Sequence, residues 1–237
     1  MNALVIQHLI LMNLVMKAHK NIFIPIYFKH FSYLPNVLRN IYLDPRWFRR
    51  ANHTGGAGLI LYYLIPEKLF FGISRIILPI LLICIPVATE LNRLLRKRDF
   101  IGLQKREKGK LASYFWFALG SAILLIFFPQ EIAAPCIVTA ALVDPLIGEL
   151  RKFRKVIAIA IGIIASFLIF SVFDYSISLA VVGAVIGVVV EYPNFKNFDD
   201  DLLMQLIPAI IILIIIYFDI SLFEPFPKGF IKPLIGV

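Results

Sequence analysis

The sequence predicts an all-α, polytopic helical membrane protein with about seven to eight transmembrane helices. Three observations predict it. The 237-residue chain is 60% hydrophobic with a mean hydropathy of +0.85, where soluble domains are nearer half apolar. Several runs approach or reach the roughly 20 apolar residues needed to cross a bilayer. Basic clusters recur between these runs in a regular rhythm, and no stretch alternates like a barrel strand.

The expected spans are 3–16, 51–66, 69–91, 111–129, 131–148, 156–173, 176–190 and 202–222. The first lacks a basic n-region and a small-residue cleavage site, so it reads as retained. Segment 17–50 mixes Lys17, Lys20, Lys29, Arg39, Arg46, Arg49 and Arg50 with Phe23, Tyr27, Phe28 and Trp47. That mixture suits a stretch lying in the membrane interface. Residues 1–45 are therefore expected to hold a hydrophobic span plus an interfacial segment, and 46–237 a multi-span domain.

Arg46, Arg49 and Arg50 precede the second span. Arg93, Arg96, Lys97, Arg98, Lys105, Arg106, Lys108 and Lys110 follow the third, and Arg151, Lys152, Arg154 and Lys155 follow the fifth. The alternate turns, near Pro66, Pro129 and Asp174, are almost free of cations. The positive-inside rule assigns the basic clusters to the cytoplasm. By alternation the acidic loop 191–201 lies there too. The formal charge of +9 is thus read as topology and anionic lipid rather than nucleic acid. Cys84 and Cys136 fall in apolar runs and are expected to be buried thiols.

The polar residues define the candidate site. Asp199, Asp200 and Asp201 open the last span. One such Asp caps a helix, whereas three adjacent ones also offer carboxylate oxygens to Mg²⁺ and a phosphate bound with it. Asp144 stands about one turn inside the fifth span, before Pro145, where a carboxylate is costly and a functional candidate; snorkelling or pairing with Arg151 is the alternative. Glu90, Arg93 and Lys97 share one helix face, as a salt-bridge ladder or as a phosphate-facing set. RRANHTGG, residues 49–56, joins Arg50 to His53 and a glycine pair that permits close approach. His53 suits contact with phosphate or a hydroxyl, or a structural hydrogen bond.

In chain order these pieces resemble the CTP-dependent polyprenol kinase family, which includes dolichol kinase, phytol kinase and the CTP-dependent diacylglycerol kinase. RRANHTGG resembles its Arg-Lys…His-x-Gly-Gly motif and ATELNRLLRKR its Glu-Leu-x-Arg motif. REKGKLASYFWFALGSAILLIFFPQEIAA is similar to its Arg-Glu…Gly segment closing on Phe-Pro. ALVDPLIGELRK is similar to its intramembrane Gly-Asp-x-x-Ala…Gly motif, and EYPNFKNFDDDLL to its Glu…Asp-Asp-Asn-Leu.

The resemblance implies Mg²⁺-dependent transfer of the CTP γ-phosphoryl group to a polyprenol or similar lipid alcohol at the cytoplasmic face. Asp144, Asp199 and Asp200 would serve the metal, with Asp144, Asp200 and His53 catalytic. Arg50, Glu90, Arg93, Lys97 and Glu191 would surround the nucleotide. Val143 replaces the Gly before the family's intramembrane Asp, Asp201 replaces its Asn, and its Lys-Ser-x-Glu-Gly-Ser segment has no counterpart here. Transfer of CMP to a lipid phosphate, and a lipid-binding or transport role without catalysis, are the competing expectations.

Overall fold

The computed structural model describes residues 45–96, 103, 107, 109–173, 175–191 and 199–218. The chain divides after Phe48 into two compact units. Of the first, only 45–48 are described, so the expected span at 3–16 and most of the interfacial segment lie outside the described residues. The second unit runs from Arg49 onward.

Among the described residues the fold is helical without strands. Helix α1 is Pro45–Gly55, and a 3₁₀ segment, Gly56–Leu64, continues it. After a short turn come α2 (Ile77–Arg96), α3 (Ser113–Phe127), α4 (Gln130–Leu150), α5 (Lys155–Val172), α6 (Ile177–Val189) and α7 (Asp200–Tyr217). Four of these, α2, α4, α5 and α7, are long and apolar enough to cross a membrane. At 1.5 Å per residue they extend roughly 27–32 Å, close to the hydrocarbon thickness. The apolar helices α3 and α6 are shorter, at 15 and 13 residues.

Two expected spans are corrected. Residues 51–66 do not form one α-helix: α1 ends at Gly55, and the glycine-bearing stretch after it winds as a nine-residue 3₁₀ segment. Glycine is the poorest helix former after proline, and Gly55, Gly56 and Gly58 fall together there. The span expected from residue 69 begins at Ile77, because Lys68 to Ser74 turn back on themselves through a lone antiparallel bridge. Phe71, at φ 64°, and Gly72, at φ 74°, make that reversal.

The remaining boundaries have local causes. Phe128 precedes Pro129 and takes the extended conformation that proline imposes on its neighbour, which separates α3 from α4. Ser176 caps α6 by accepting from the Leu179 amide. Asp199 caps α7 by accepting from the Asp201 amide at 3.3 Å.

Helix α4 is the centre of the bundle. It packs against α3, α5, α6, α7 and the 3₁₀ segment, and Glu131 through Ala141 are buried without a break. By contrast α5 and α6 each turn an apolar stripe outward: Ile157, Ile161, Ile164 and Leu168 on one, Ile177, Val181, Val185 and Val189 on the other. Outward apolar stripes on helices of this length fit a lipid environment. Of the two cysteines expected to be buried, Cys136 is, on α4; Cys84 is exposed on α2, whose outer face is itself apolar.

Small residues let the helices close on one another. A Cβ at Gly183 of α6 would lie 2.8 Å from the Phe170 ring of α5, and one at Gly162 of α5 would lie 2.6 Å from Ile147 of α4. Helix association in lipid relies on such close packing. Gly183→Leu is therefore expected to cost about 1–3 kcal/mol through overpacking. Gly148→Ala, whose Cβ would meet nothing within 4 Å, is expected to be neutral, and unfolding of both variants in detergent is the measurement that checks this.

Candidate functional site

The C-terminal half of α4, the first turn of α7 and the end of α1 bring the site together. Asp144 lies in α4 beside Pro145, which cannot donate to the Ala141 carbonyl and so leaves the backbone there incompletely bonded. His53 lies in the last turn of α1. Its Nε2 is 2.7 Å from Asp201 Oδ1 and 3.3 Å from Asp144 Oδ2. The three side chains are well shielded, at 8%, 2% and 19% exposure for His53, Asp201 and Asp144.

Two potential ligand groups share one member. His53, Asp144 and Asp201 each offer a donor atom within 4.8 Å of the others, and so do Asp199, Asp200 and Asp201. Asp201 Oδ2 is buried with no hydrogen-bond partner, as is His53 Nδ1. The Asp199 carboxyl is pushed up to about 7, first by burial and then by the neighbouring Asp200. A cation entering there would displace the proton that this crowding favours.

A buried polar frame holds the first turn of α7 in place. Gln205 Nε2 donates to the Asp201 carbonyl at 3.0 Å and to the Phe117 carbonyl of α3 at 3.1 Å. Its Oε1 accepts from Ser121 at 2.8 Å. Phe117 also packs edge-to-face on the His53 ring, with centroids 4.8 Å apart. Its ring fills the space beside Gly56, where a Cβ would come within 2.5 Å. The same residues of α3 thus support both the histidine and the aspartate.

The structure gathers His53, Asp144, Asp199 and Asp200 from the sequence candidates. Asp201, the third of the aspartates that open α7 and the one at the position where the resemblance would have an asparagine, joins them as the most deeply buried of the three. Gln205, four residues beyond Asp201 and hence on the same helix face, was the available signal for the frame around it. The other candidates form ion pairs. Arg50 pairs with Glu149, which also accepts from Lys152 at 2.7 Å. Glu191, 5% exposed, pairs with Arg151. Glu90 and Arg93 form a buried pair at 2.6 Å, and Arg93 also donates to the Lys110 carbonyl. Lys97 lies outside the described residues.

A carboxylate cluster with a buried, unpartnered oxygen fits a divalent ion, which takes carboxylate oxygens and neutralises their repulsion. The imidazole–carboxylate contact equally suits proton transfer. Compared with known proteins, the chain matches no family model, no curated sequence and no solved structure.

Proposed function

We propose that this chain transfers the γ-phosphoryl group of CTP to the hydroxyl of a polyprenol or related lipid alcohol, with Mg²⁺, at the cytoplasmic face of a membrane. The observation that carries the reading is the meeting of Asp144, inside an apolar helix, with His53 and the Asp199–Asp201 turn. Phosphoryl transfer asks little covalent chemistry of a protein. It needs positioning and charge compensation, at a place where a water-borne nucleotide can meet a lipid hydroxyl.

In this reading Asp144, Asp199 and Asp201 hold the ion, which supplies positive charge to the phosphate oxygens. Asp200, half-buried in the first turn of α7, takes the hydroxyl proton. The lipid oxygen then bonds to the γ-phosphorus, the bond to the β–γ bridging oxygen breaks, and CDP leaves. His53 orients the carboxylates through its contacts with Asp144 and Asp201. Glu191 secures Arg151 at the end of α6 nearest the acidic turn. Arg50 reaches phosphate by exchanging Glu149 for it. Arg93 and Glu90 brace the end of α2, and Lys97 adds a cation beyond it. The outward apolar stripes of α5 and α6 support a membrane setting, and the cytoplasmic orientation rests on the distribution of basic residues.

The test is incubation of the detergent-purified chain with Mg²⁺, prenols, diacylglycerol and CTP bearing distinguishable α and γ labels. Recovery of γ label in the lipid fraction is the expected result, and the labelled species names the acceptor. Recovery of α label would replace the reading with CMP transfer to a lipid phosphate. With neither label, a lipid-binding or transport role takes its place.

A further inference from the structure

The imidazole of His53 faces a problem of hydrogen count. Its Nε2 carries at most one hydrogen, yet two carboxylate oxygens lie 2.7 Å and 3.3 Å away. One N–H cannot satisfy both acceptors fully. Meanwhile Asp201, 2% exposed, keeps its second oxygen buried and unpartnered. A buried carboxylate is costly unless its charge is met. Asp144, Asp199, Asp200 and Asp201 together bring four carboxyl groups to this place, and the charge of Arg49 acts on both His53 and Asp201.

The separations themselves suggest the resolution. Donors bound at about 2.1 Å to one ion, at angles between octahedral and tetrahedral, stand about 3.0–3.4 Å apart. The 3.3 Å from His53 Nε2 to Asp144 falls inside that range, and the 2.7 Å to Asp201 lies below it. The three donors come from α1, α4 and α7, so only the folded bundle assembles them. The donor type then narrows the ion. Mg²⁺ favours oxygen ligands and retained water, whereas first-row transition ions accept imidazole nitrogen beside carboxylate.

We propose that His53 Nε2, Asp144 and Asp201 form one mixed nitrogen–oxygen site for a divalent transition ion of the Mn²⁺ type, with Asp201 the ligand that anchors it. The Asp199–Asp200 carboxylates lie at its rim and offer oxygen only. The site takes Asp144 and Asp201 from the ion site of the phosphoryl-transfer reading and puts His53 in place of Asp199, yet it can be tested without that reading, because it requires neither nucleotide nor lipid. It also makes His53 a direct ligand, a role distinct from that of a hydrogen-bonding brace.

The experiment uses the full chain in detergent, without nucleotide, titrated with Mn²⁺ and followed by electron paramagnetic resonance. One bound Mn²⁺ per chain is expected, with nitrogen coupling in the pulsed spectrum. His53→Gln is expected to weaken Mn²⁺ binding at least about tenfold while changing Mg²⁺ competition less than about threefold. Asp201→Asn is expected to weaken both ions. The chain has three other histidines, His8, His19 and His30. Changing all three to Gln is expected to preserve the nitrogen coupling, which keeps the assignment testable even where His53→Gln fails to fold. Loss of the coupling in that triple variant would overturn the site. So would absence of nitrogen coupling in the unaltered chain, equal Mn²⁺ affinity in His53→Gln, or no Mn²⁺ binding at all. Lipid labelling from CTP could fail with every one of these expected results intact, so the two readings fall separately.

Discussion

Asp201→Asn is expected to reduce phosphoryl transfer to lipid by at least about 100-fold while the protein remains as stable as before, or becomes more stable. The two halves of this expectation have one cause. Asp201 is almost wholly buried, has one oxygen without a partner, and lies among Asp144, Asp199 and Asp200. Replacing its carboxylate with an isosteric amide removes like-charge repulsion from the folded state and keeps a side-chain oxygen to meet His53. It also removes a negative charge that an ion would require. A purely structural Asp201 would behave in the opposite way, with the unfolding temperature falling and any activity change following it. The measurement is therefore γ-label transfer and unfolding temperature in one preparation, without added metal for the latter. Asp144→Asn and Asp200→Asn are expected to abolish transfer in the same assay while the extracted protein stays folded. Asp199→Asn is the informative contrast. Asparagine caps a helix as well as aspartate does, so α7 keeps its start, and loss of transfer in that variant would report on the carboxylate charge.

The contrast between Asp199 and Asp201 also shows what a sequence can carry. Three consecutive aspartates are chemically identical on the page, and their roles diverge only through helix phase. Asp199 becomes the cap, whereas Asp201 turns inward on the face that four residues later carries Gln205. Matching to a family pattern selected Asp199 and Asp200, and the burial that singles out Asp201 depends on α3, about 80 residues away in sequence. The helical elements were easier to read. Hydropathy placed α3 through α7 to within a few residues, because each is a nearly unbroken apolar run flanked by charge, proline or a capping residue. It erred at 51–66, where apolar composition said nothing about the three glycines that turn an α-helix into a 3₁₀ segment. Asp144 was legible for a related reason. A carboxylate inside an apolar helix is conspicuous whatever it touches, but its partner His53 lies 91 positions earlier.

The largest stability loss is expected at the Glu90–Arg93 pair. Glu90→Ala or Arg93→Ala is expected to cost about 3–5 kcal/mol, since each leaves its partner charged and buried. Both side chains are 2% exposed, and the contact is bidentate: Arg93 Nε donates to Glu90 Oε1 at 3.2 Å and Nη2 donates to Oε2 at 2.6 Å. Arg93 also holds the Lys110 carbonyl, and nearby Glu107 accepts from the Ser113 amide and hydroxyl where α3 begins. The pair thus fastens the end of α2 to the chain that leads into α3. The double variant Glu90→Leu/Arg93→Met is expected to recover most of the loss, because well-packed apolar residues replace a buried pair at little cost. This cycle separates the two roles that the helix-face spacing allowed. A phosphate-binding Arg93 predicts that the single and double variants weaken nucleotide binding alike, with little change in unfolding temperature. A bracing pair predicts a fall of roughly 10 °C in each single variant and its recovery in the double. The bidentate geometry and the depth of burial favour the second outcome.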